Sequence, residues 1–447
     1  MKEITEPAKQ TPVFAEADIC ILGGGCTGVF AAIRAARLGA KVIIVEKQNS
    51  FGGVATSALV NIWHSVYNTT FDKQIIAGLT QETVERLKRR NAVRTVKKNY
   101  NSGFVLNTEE LKIELDEMVK EENVGPFLHT FYVGPYMEQD MLKGVIVENK
   151  SGRGVILASM FIDATGDGDL CHDLEIPYKE SEHKQPPTTN AKINGWSSID
   201  GVDINELFLK HGKEFGFPEG SNWGEYIPGA KDLYMLSGTR VYNANCVDGR
   251  SLTNSEIEGR RQVRAYMDLI RKYCSNQSIS LASLPSNIGI RETRHVQCKY
   301  QLNENDVLYG KQFDDAIANG SYRIDIHHDN KPGITYRYLN GEEVYTRPGY
   351  PVEVSHWRGP LEKEPTYYQI PYRSLVPEKY PNVLVAGRIL DVDYNAYAGV
   401  RVMVNMNQTG EAAGVAAYLA LHSNRSVQNM EISKLRKVLA QGGSIII

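Results

Sequence analysis

The sequence predicts an α/β fold. A Rossmann-like dinucleotide-binding domain is assembled from separated segments, with an α+β substrate or cap domain inserted between them. Three observations predict it. Residues 18–47 read as one βαβ unit around a glycine fingerprint. Two later apolar runs, Val155–Ile162 and Asn382–Ala386, each end in a glycine turn. Between them the stretch from 176 to 370 changes texture and becomes rich in Tyr, Asn, Pro and Gly.

Each element has a physical reason. Asp18-Ile-Cys-Ile-Leu22 is an apolar run of the right length for a buried parallel strand. Gly23, Gly25 and Gly28 then satisfy G-x-G-x-x-G. Gly23 permits the tight turn, Gly25 lets backbone approach a pyrophosphate, and Gly28 lets helix and strand pack closely. Cys26 and Thr27 lie in the phosphate loop just before the helix, whose free N–H groups and partial positive charge suit phosphates. The helix is expected over Val29 to Leu38, with Gly39 as its C-cap glycine. A second strand, Lys41–Val45, delivers Glu46 to the ribose hydroxyls, followed by Lys47. Residues 61–125 read as helical, with Thr108 as an N-cap, and Pro126–Ile162 as a small β-meander. A helix is expected from Ser255 to Cys274, and a long one from Ala398 to Leu421 with a small-residue face.

The glycines beyond the acid choose the cofactor. Gly52 and Gly53 allow a backbone turn pressed against a ligand. FAD needs that turn because it continues past the pyrophosphate towards the isoalloxazine ring. Ala164, Thr165 and Gly166, and later Gly387 and Arg388, are further places for the chain to meet FAD. Gly399 and Val400, at the expected helix start, would sit at the pyrimidine edge, where the helix dipole favours negative charge.

Taken together, Gly23-x-Gly25-x-x-Gly28, Glu46-Lys47, Gly52-Gly53-x-Ala55-Thr56, Ile162–Asp167, Gly289–Arg294, Ile370–Arg373 and Val385–Arg388 resemble the FAD-dependent oxidoreductase family. That family belongs to the glutathione-reductase-fold flavoproteins and is related to fumarate reductase flavoprotein subunits. The resemblance runs from about residue 18 to 421. It implies non-covalent FAD, cofactor contacts at Ala55 and Thr56, and an adenine contact through the backbone near Val133. The implied domains are 15–175 with 371–425 for FAD, 176–370 for the cap, and 426–447 as a tail packing on the FAD domain.

Catalytic candidates follow from what a flavin site must do: anchor a substrate and move a proton. Arg291, with Arg294 nearby, is a candidate carboxylate clamp. His327 is the candidate acid or base, titrating near neutral pH, and at most one of His327 and His328 can face the cavity from a strand. Arg401 is the candidate stabiliser of a substrate anion or of the reduced flavin, and Tyr397 a substrate contact. His64 raises covalent flavin attachment, which is not expected. No metal site is expected: the six cysteines form no C-x-x-C pair.

A net charge of −3, from 50 Lys and Arg against 53 Asp and Glu, gives no footprint for nucleic acid and disfavours a tRNA-modifying flavoenzyme. No run is long and apolar enough for a membrane span, and Met1–Gln10 lacks an apolar signal region, so a cytoplasmic protein is expected. A small-molecule substrate and an external electron donor or acceptor are the expected partners. A flavoprotein subunit of a larger electron-transfer complex is the alternative. The sequence leaves the oligomeric state open.

Overall fold

The computed structural model describes residues 3–96, 99, 103–274 and 278–447. Its centre is a parallel sheet. β1 (Val13–Leu22) leads through the glycine turn into α1 (Cys26–Arg37). β2 (Val42–Val45) returns beside β1, with Ile19 to Leu22 opposite Val42 to Val45. These residues are buried, as a strand covered on both faces requires. Gly39 takes φ +104 just beyond α1, the predicted left-handed stop.

Among its described residues the stretch 61–125, expected as helix, contains two α-helices, α2 (Leu79–Arg89) and α3 (Thr108–Glu121). Ile62–His64, Val93–Thr95 and Gly103–Leu106 form a small antiparallel sheet instead. Residues 97, 98 and 100–102 of this stretch lie outside the described residues. A buried run as short as Phe104–Leu106 has no period by which to tell strand from helix. The cap of α3 is Asn107, whose side chain accepts from the Glu109 N–H at 3.1 Å; Thr108 is the first helical residue.

β3 (Gly125–Phe127) extends the sheet beyond β2. β4 (Phe131–Glu138) and β5 (Met141–Asn149) form the expected meander with β6 (Gly152–Asp163), which then pairs in parallel with β1. Val383–Val385 pairs in parallel with the end of β6, so the two distant glycine turns open at the same edge as the first. That edge, outside the carboxyl ends of parallel strands, is where this architecture binds ligands.

The middle of the chain is more regular than its composition suggested. α4 (Gly249–Tyr273) starts ahead of the expected Ser255, because the Asp248 side chain caps it by accepting from Ser251 N–H at 2.7 Å. With a four-stranded sheet that includes Ala191–Asn194 and Leu233–Ser237, it encloses a separate apolar core around Trp196, Phe208 and Tyr266. A second antiparallel sheet follows in chain order: β7 (Ile324–His327), β8 (Ile334–Arg337), β9 (Glu342–Thr346) and β10 (Glu353–His356). Ile324 and Ile326 of β7 belong to the main core.

The long helix expected from Ala398 is two helices. α5 (Tyr394–Val400) ends before Arg401, Val402 is extended at ψ 141, and α6 restarts at Met403 and runs to Ser423. α6 is buried around almost its whole circumference, as a central helix must be. Its small residues permit a backbone-close crossing of α1. A Cβ on Gly410 would stand 2.1 Å from the Thr27 carbonyl oxygen, and one on Gly414 2.1 Å from that of Ala31. Beside this crossing Arg34 of α1 and Glu411 of α6 form a buried ion pair at 2.7 Å. Leu79 N–H donates to the other Glu411 oxygen at 3.1 Å. α7 (Ile432–Gln441) and the segment after it close over the pair: Arg34 also reaches Ser444 Oγ at 2.7 Å and the Leu439 carbonyl at 3.3 Å.

Candidate active site

One cavity of about 550 Å³ opens along the strand ends. Its size is that of a ligand-binding cleft. The glycine loop forms one set of its walls. Gly25 caps α1 with no side chain, leaving the first N–H groups of the helix without a side-chain acceptor. A Cβ on Gly25 would have the Gly53 Cα, 4.0 Å away, as its only neighbour, so it would project into open groove. Gly23, Cys26, Thr27, Lys47, Gly52 and Gly53 line the same walls. Ala164, Thr165, Gly166, Gly387 and Arg388 line the cavity from the two other glycine turns.

Glu46 lines the cavity and is 7% exposed. Its two oxygens accept from Gly24 N–H at 2.6 Å and Gln48 N–H at 2.8 Å. Burial raises its carboxyl above the ordinary range, against those donors and the Lys47 charge. Glu46→Ala is therefore expected to lower both FAD retention and thermal stability, read from flavin absorbance after desalting and from the melting temperature of the apoprotein. Arg388 fastens two loops together: it donates to the Gly166 carbonyl at 2.5 Å, to Asp167 at 2.6 Å and to the Ile290 carbonyl at 3.3 Å. Burial opposes ionisation of Asp167, but Arg388 and Lys47 hold its carboxyl below the ordinary range.

Several expected cofactor contacts shape the loop from behind without lining the cavity. Gly28 lies under the turn, where a Cβ would meet the Gly23 carbonyl oxygen at 1.9 Å. Ala55 is fully buried, and Thr56 Oγ1 donates to the Phe51 carbonyl at 2.6 Å. Gly399 and Val400 are buried in the last turn of α5, since the helix break moves the cavity edge to Arg401, Val402 and Met403. Val133 stands on β4, 40% exposed and outside the cavity lining.

A second set of walls carries the titratable groups. Arg291, His327 and Arg401, far apart in sequence, line this one cavity. Arg291 donates to the Pro186 carbonyl and to Thr188 Oγ1, and its own carbonyl accepts from Tyr397 OH. Arg294 does not line the cavity; it donates to the Asp167 carbonyl at 2.9 Å and so braces the 166–169 turn. Strand alternation separates the two histidines as expected: His327 lines this cavity and His328 a second, smaller one.

Asp325 is the residue that sequence reasoning left without a role. One oxygen lies 3.3 Å from His327 Nε2; the other accepts from Tyr322 OH at 2.8 Å and lies 3.4 Å from Arg401. Burial opposes its charge, yet His327, Arg401 and Arg323 hold it well below the usual carboxylate range. The only sequence signal was its place two residues before His327 on one strand face. His327 departs from the expected near-neutral titration. Burial, with Arg291 and Arg401, pushes it down to about 4 against the pull of Asp325, so at neutral pH it is an uncharged proton acceptor. His64, beside Tyr322 with ring centroids 4.5 Å apart, is pushed down to about 3 by burial and Arg323. Cys26 is no nucleophile: burial raises its thiol to about 12.

A parallel sheet with glycine turns gathered at its strand ends, and a cavity there long enough to join them to a titratable cluster, defines a mixed α/β dinucleotide-binding oxidoreductase fold of Rossmann type. The sequence matches the FAD dependent oxidoreductase family over residues 18–439, and the chain belongs to that family. It is an enzyme with FAD as its cofactor. A mitochondrial dihydrolipoyl dehydrogenase from Schizosaccharomyces pombe is 37% identical over 84 residues, 16% of this chain and 16% of that protein. The chain therefore matches only a small part of that relative's length. Among solved structures, a geranylgeranyl bacteriochlorophyll reductase-like protein from Thermoplasma acidophilum is similar at 12% identity and TM-score 0.46, over 96% of this chain and 84% of that one. The FAD-dependent myxobacterial chondrochloren halogenase is similar at 12% identity and TM-score 0.46, over 96% and 80%.

The residues present fit FAD. The groove beside Gly25 is open only because no Cβ fills it. Ser57 Oγ, Asn190 Oδ1 and Asn407 Oδ1, on residues that line the cavity, are buried with no hydrogen-bond partner among the described residues. Among the described residues no group of three or more His, Cys, Asp or Glu is placed to hold a metal ion. No described helix is long and apolar enough to cross a membrane.

Proposed function

We infer that the enzyme transfers a hydride or electrons between non-covalently bound FAD and a small organic anion, using an external electron donor or acceptor. One observation carries the anion. Arg240, Arg291, Arg323 and Arg401 line the cavity with Asp325, while its other lining carboxylates, Glu46, Asp167 and Glu225, are engaged by backbone N–H groups, by Arg388 and by Arg94 respectively. Among the described residues the Arg240 side chain donates to the carbonyls of Gly238 and Ser221, and that of Arg291 to a carbonyl and a hydroxyl. Burying guanidinium charge without a matching carboxylate is costly, and an anionic ligand offsets it.

Gly23, Gly25, Cys26 and Thr27 would hold the pyrophosphate, and Glu46 the ribose. Bound FAD supplies the hydride- or electron-accepting group. The chain does the rest. Arg291 and Arg401 bind and orient the anion. Tyr397 pins the Arg291 backbone. His327, uncharged, takes the proton that an oxidised alcohol, amine or activated C–H gives up. Asp325 stabilises the resulting imidazolium.

The same reading takes the fold as glutathione-reductase type, with a cap inserted between 176 and 370 and a tail after 425. Support comes from the separate core around Trp196 and from the cavity walls that Asn190, Ser237 and Arg240 contribute. Kinship with fumarate reductase flavoprotein subunits fits an arginine-rich anion site. The test is anaerobic mixing of the FAD-loaded enzyme with a panel of organic acids and their uncharged amides. Bleaching of the oxidised-flavin band by acids alone is expected. Bleaching by amides with no response to acids would overturn the reading.

The sequence holds no second G-x-G-x-x-G after a strand, so no built-in nicotinamide site is expected. Stopped-flow mixing with NADH or NADPH should reduce the flavin slowly and without saturation. Fast, saturable reduction by either would reopen a nicotinamide-linked reductase.

A further inference from the structure

Anion binding at this site has a proton attached to it. Arg291 and Arg401 lie close enough to repel one another, and burial together with that repulsion pushes Arg291 down to about 9. Both also face His327. In the empty site, protonated His327 would add a third cation beside two guanidinium groups that share the one carboxylate of Asp325. A bound carboxylate removes that objection. Asp325, 3.3 Å from His327 and 3.4 Å from Arg401, is already in place to receive the imidazolium and to keep it beside the anchor.

We propose that the anion site between Arg291 and Arg401 is proton-linked: a carboxylate seated there raises the proton affinity of the His327 imidazole, so that binding tightens as the imidazole takes up a proton at acidic pH while it stays an uncharged base near neutrality. This rests on the anionic-substrate reading above and adds to it how the site selects its ligand's charge. Asp325 is the positioning residue of the arrangement, acting through His327 and Arg401. The consequence is reciprocal. An anion makes His327 a stronger base in the complex than in the empty enzyme, and protonation tightens the anion.

Other ionisable groups surround the pair. Arg323 and Tyr322 precede β7, and His64 faces Asp325 and Arg401 from the strand Ile62–His64. Burial raises the Tyr322 hydroxyl far above its ordinary value and lowers His64 to about 3, so neither exchanges a proton in the range tested.

The experiment uses the FAD-loaded enzyme and trifluoroacetate, a carboxylate that stays ionised throughout. Its affinity is read from the perturbation of the oxidised-flavin spectrum and from calorimetry in two buffers of different ionisation enthalpy. Affinity should tighten about tenfold between about pH 7.5 and 5, with proton uptake on binding, since one linked proton gives at most about tenfold per pH unit. His327→Gln should flatten the profile. Asp325→Asn should shrink the gain while Asp325→Glu restores part of it, a pattern that mere loosening of the fold would not produce. Equal affinity across the range, or an unchanged slope in His327→Gln, overturns the proposal and leaves the anion site standing. No binding of trifluoroacetate at any pH by either method removes the anion reading itself, and this inference with it.

Discussion

Gly25→Val is expected to give folded protein that carries no FAD. Gly25 has φ −61 and ψ 167, backbone that any residue adopts, and its Cβ direction is open. The valine methyls therefore cost the apoprotein little and fill the groove where phosphate oxygens would approach the helix. Loss of at least about 100-fold in affinity, about 2.7 kcal/mol, is the minimum expected. The flavin-to-protein absorbance ratio after purification measures it, and circular dichroism checks the fold. Gly28→Val is the contrast. Its Cβ would stand 1.9 Å from the Gly23 carbonyl oxygen, so that variant should lose the fold along with the flavin. A yellow Gly25→Val protein would remove the glycine loop from the cofactor site.

Glu411→Gln is expected to destabilise the protein by about 3–5 kcal/mol, the usual cost of leaving one member of a buried ion pair uncompensated. Arg34 is 5% exposed and Glu411 1%, so water cannot replace the missing charge. The loss should spread to three elements, because the same carboxylate also receives Leu79 N–H and Ser444 Oγ. Denaturant unfolding of the apoprotein measures it. Arg34→Met with Glu411→Leu should recover much of the stability, since an apolar pair leaves no buried charge behind. A single variant within about 1 kcal/mol of the parent would mean that the pair is solvated by a route the packing does not provide.

What could be read from the sequence was what is local. The unit from Asp18 to Lys47 is legible because its strand, turn, helix and strand are consecutive and each constrains the next. Gly39 and the small face of α6 are legible for the same reason: a turn and a close helix crossing both demand glycine at fixed spacing. The small sheet of Ile62–His64, Val93–Thr95 and Gly103–Leu106 was not, since three- and four-residue strands show no alternation and are held by partners distant in the chain. The break between α5 and α6 has no Pro or Gly at Arg401 or Val402 to announce it. In the site, Arg291, His327 and Arg401 were legible by residue type. Asp325, the partner of His327 and Arg401, was not, because its burial and its contact with Arg401 arise only across the fold. The shift of His327 was hidden likewise: it comes from burial beside cations that sequence spacing does not bring near.

The crossing of α6 on α1 makes α6 a measuring rod. At its upper end Met403 and Met406 border the cavity next to Arg401. Further along, Gly410 lies against Thr27, inside the glycine loop. Between these points stand about two turns, roughly 10 Å of rigid helix. That length fixes how far the titratable cluster sits from the glycine loop. Adding or deleting one residue between Met403 and Gly410 would leave every side chain of both ends in the protein, yet turn one end about 100° against the other. Chains descended from this one would therefore have to keep the count of that span whatever residues fill it.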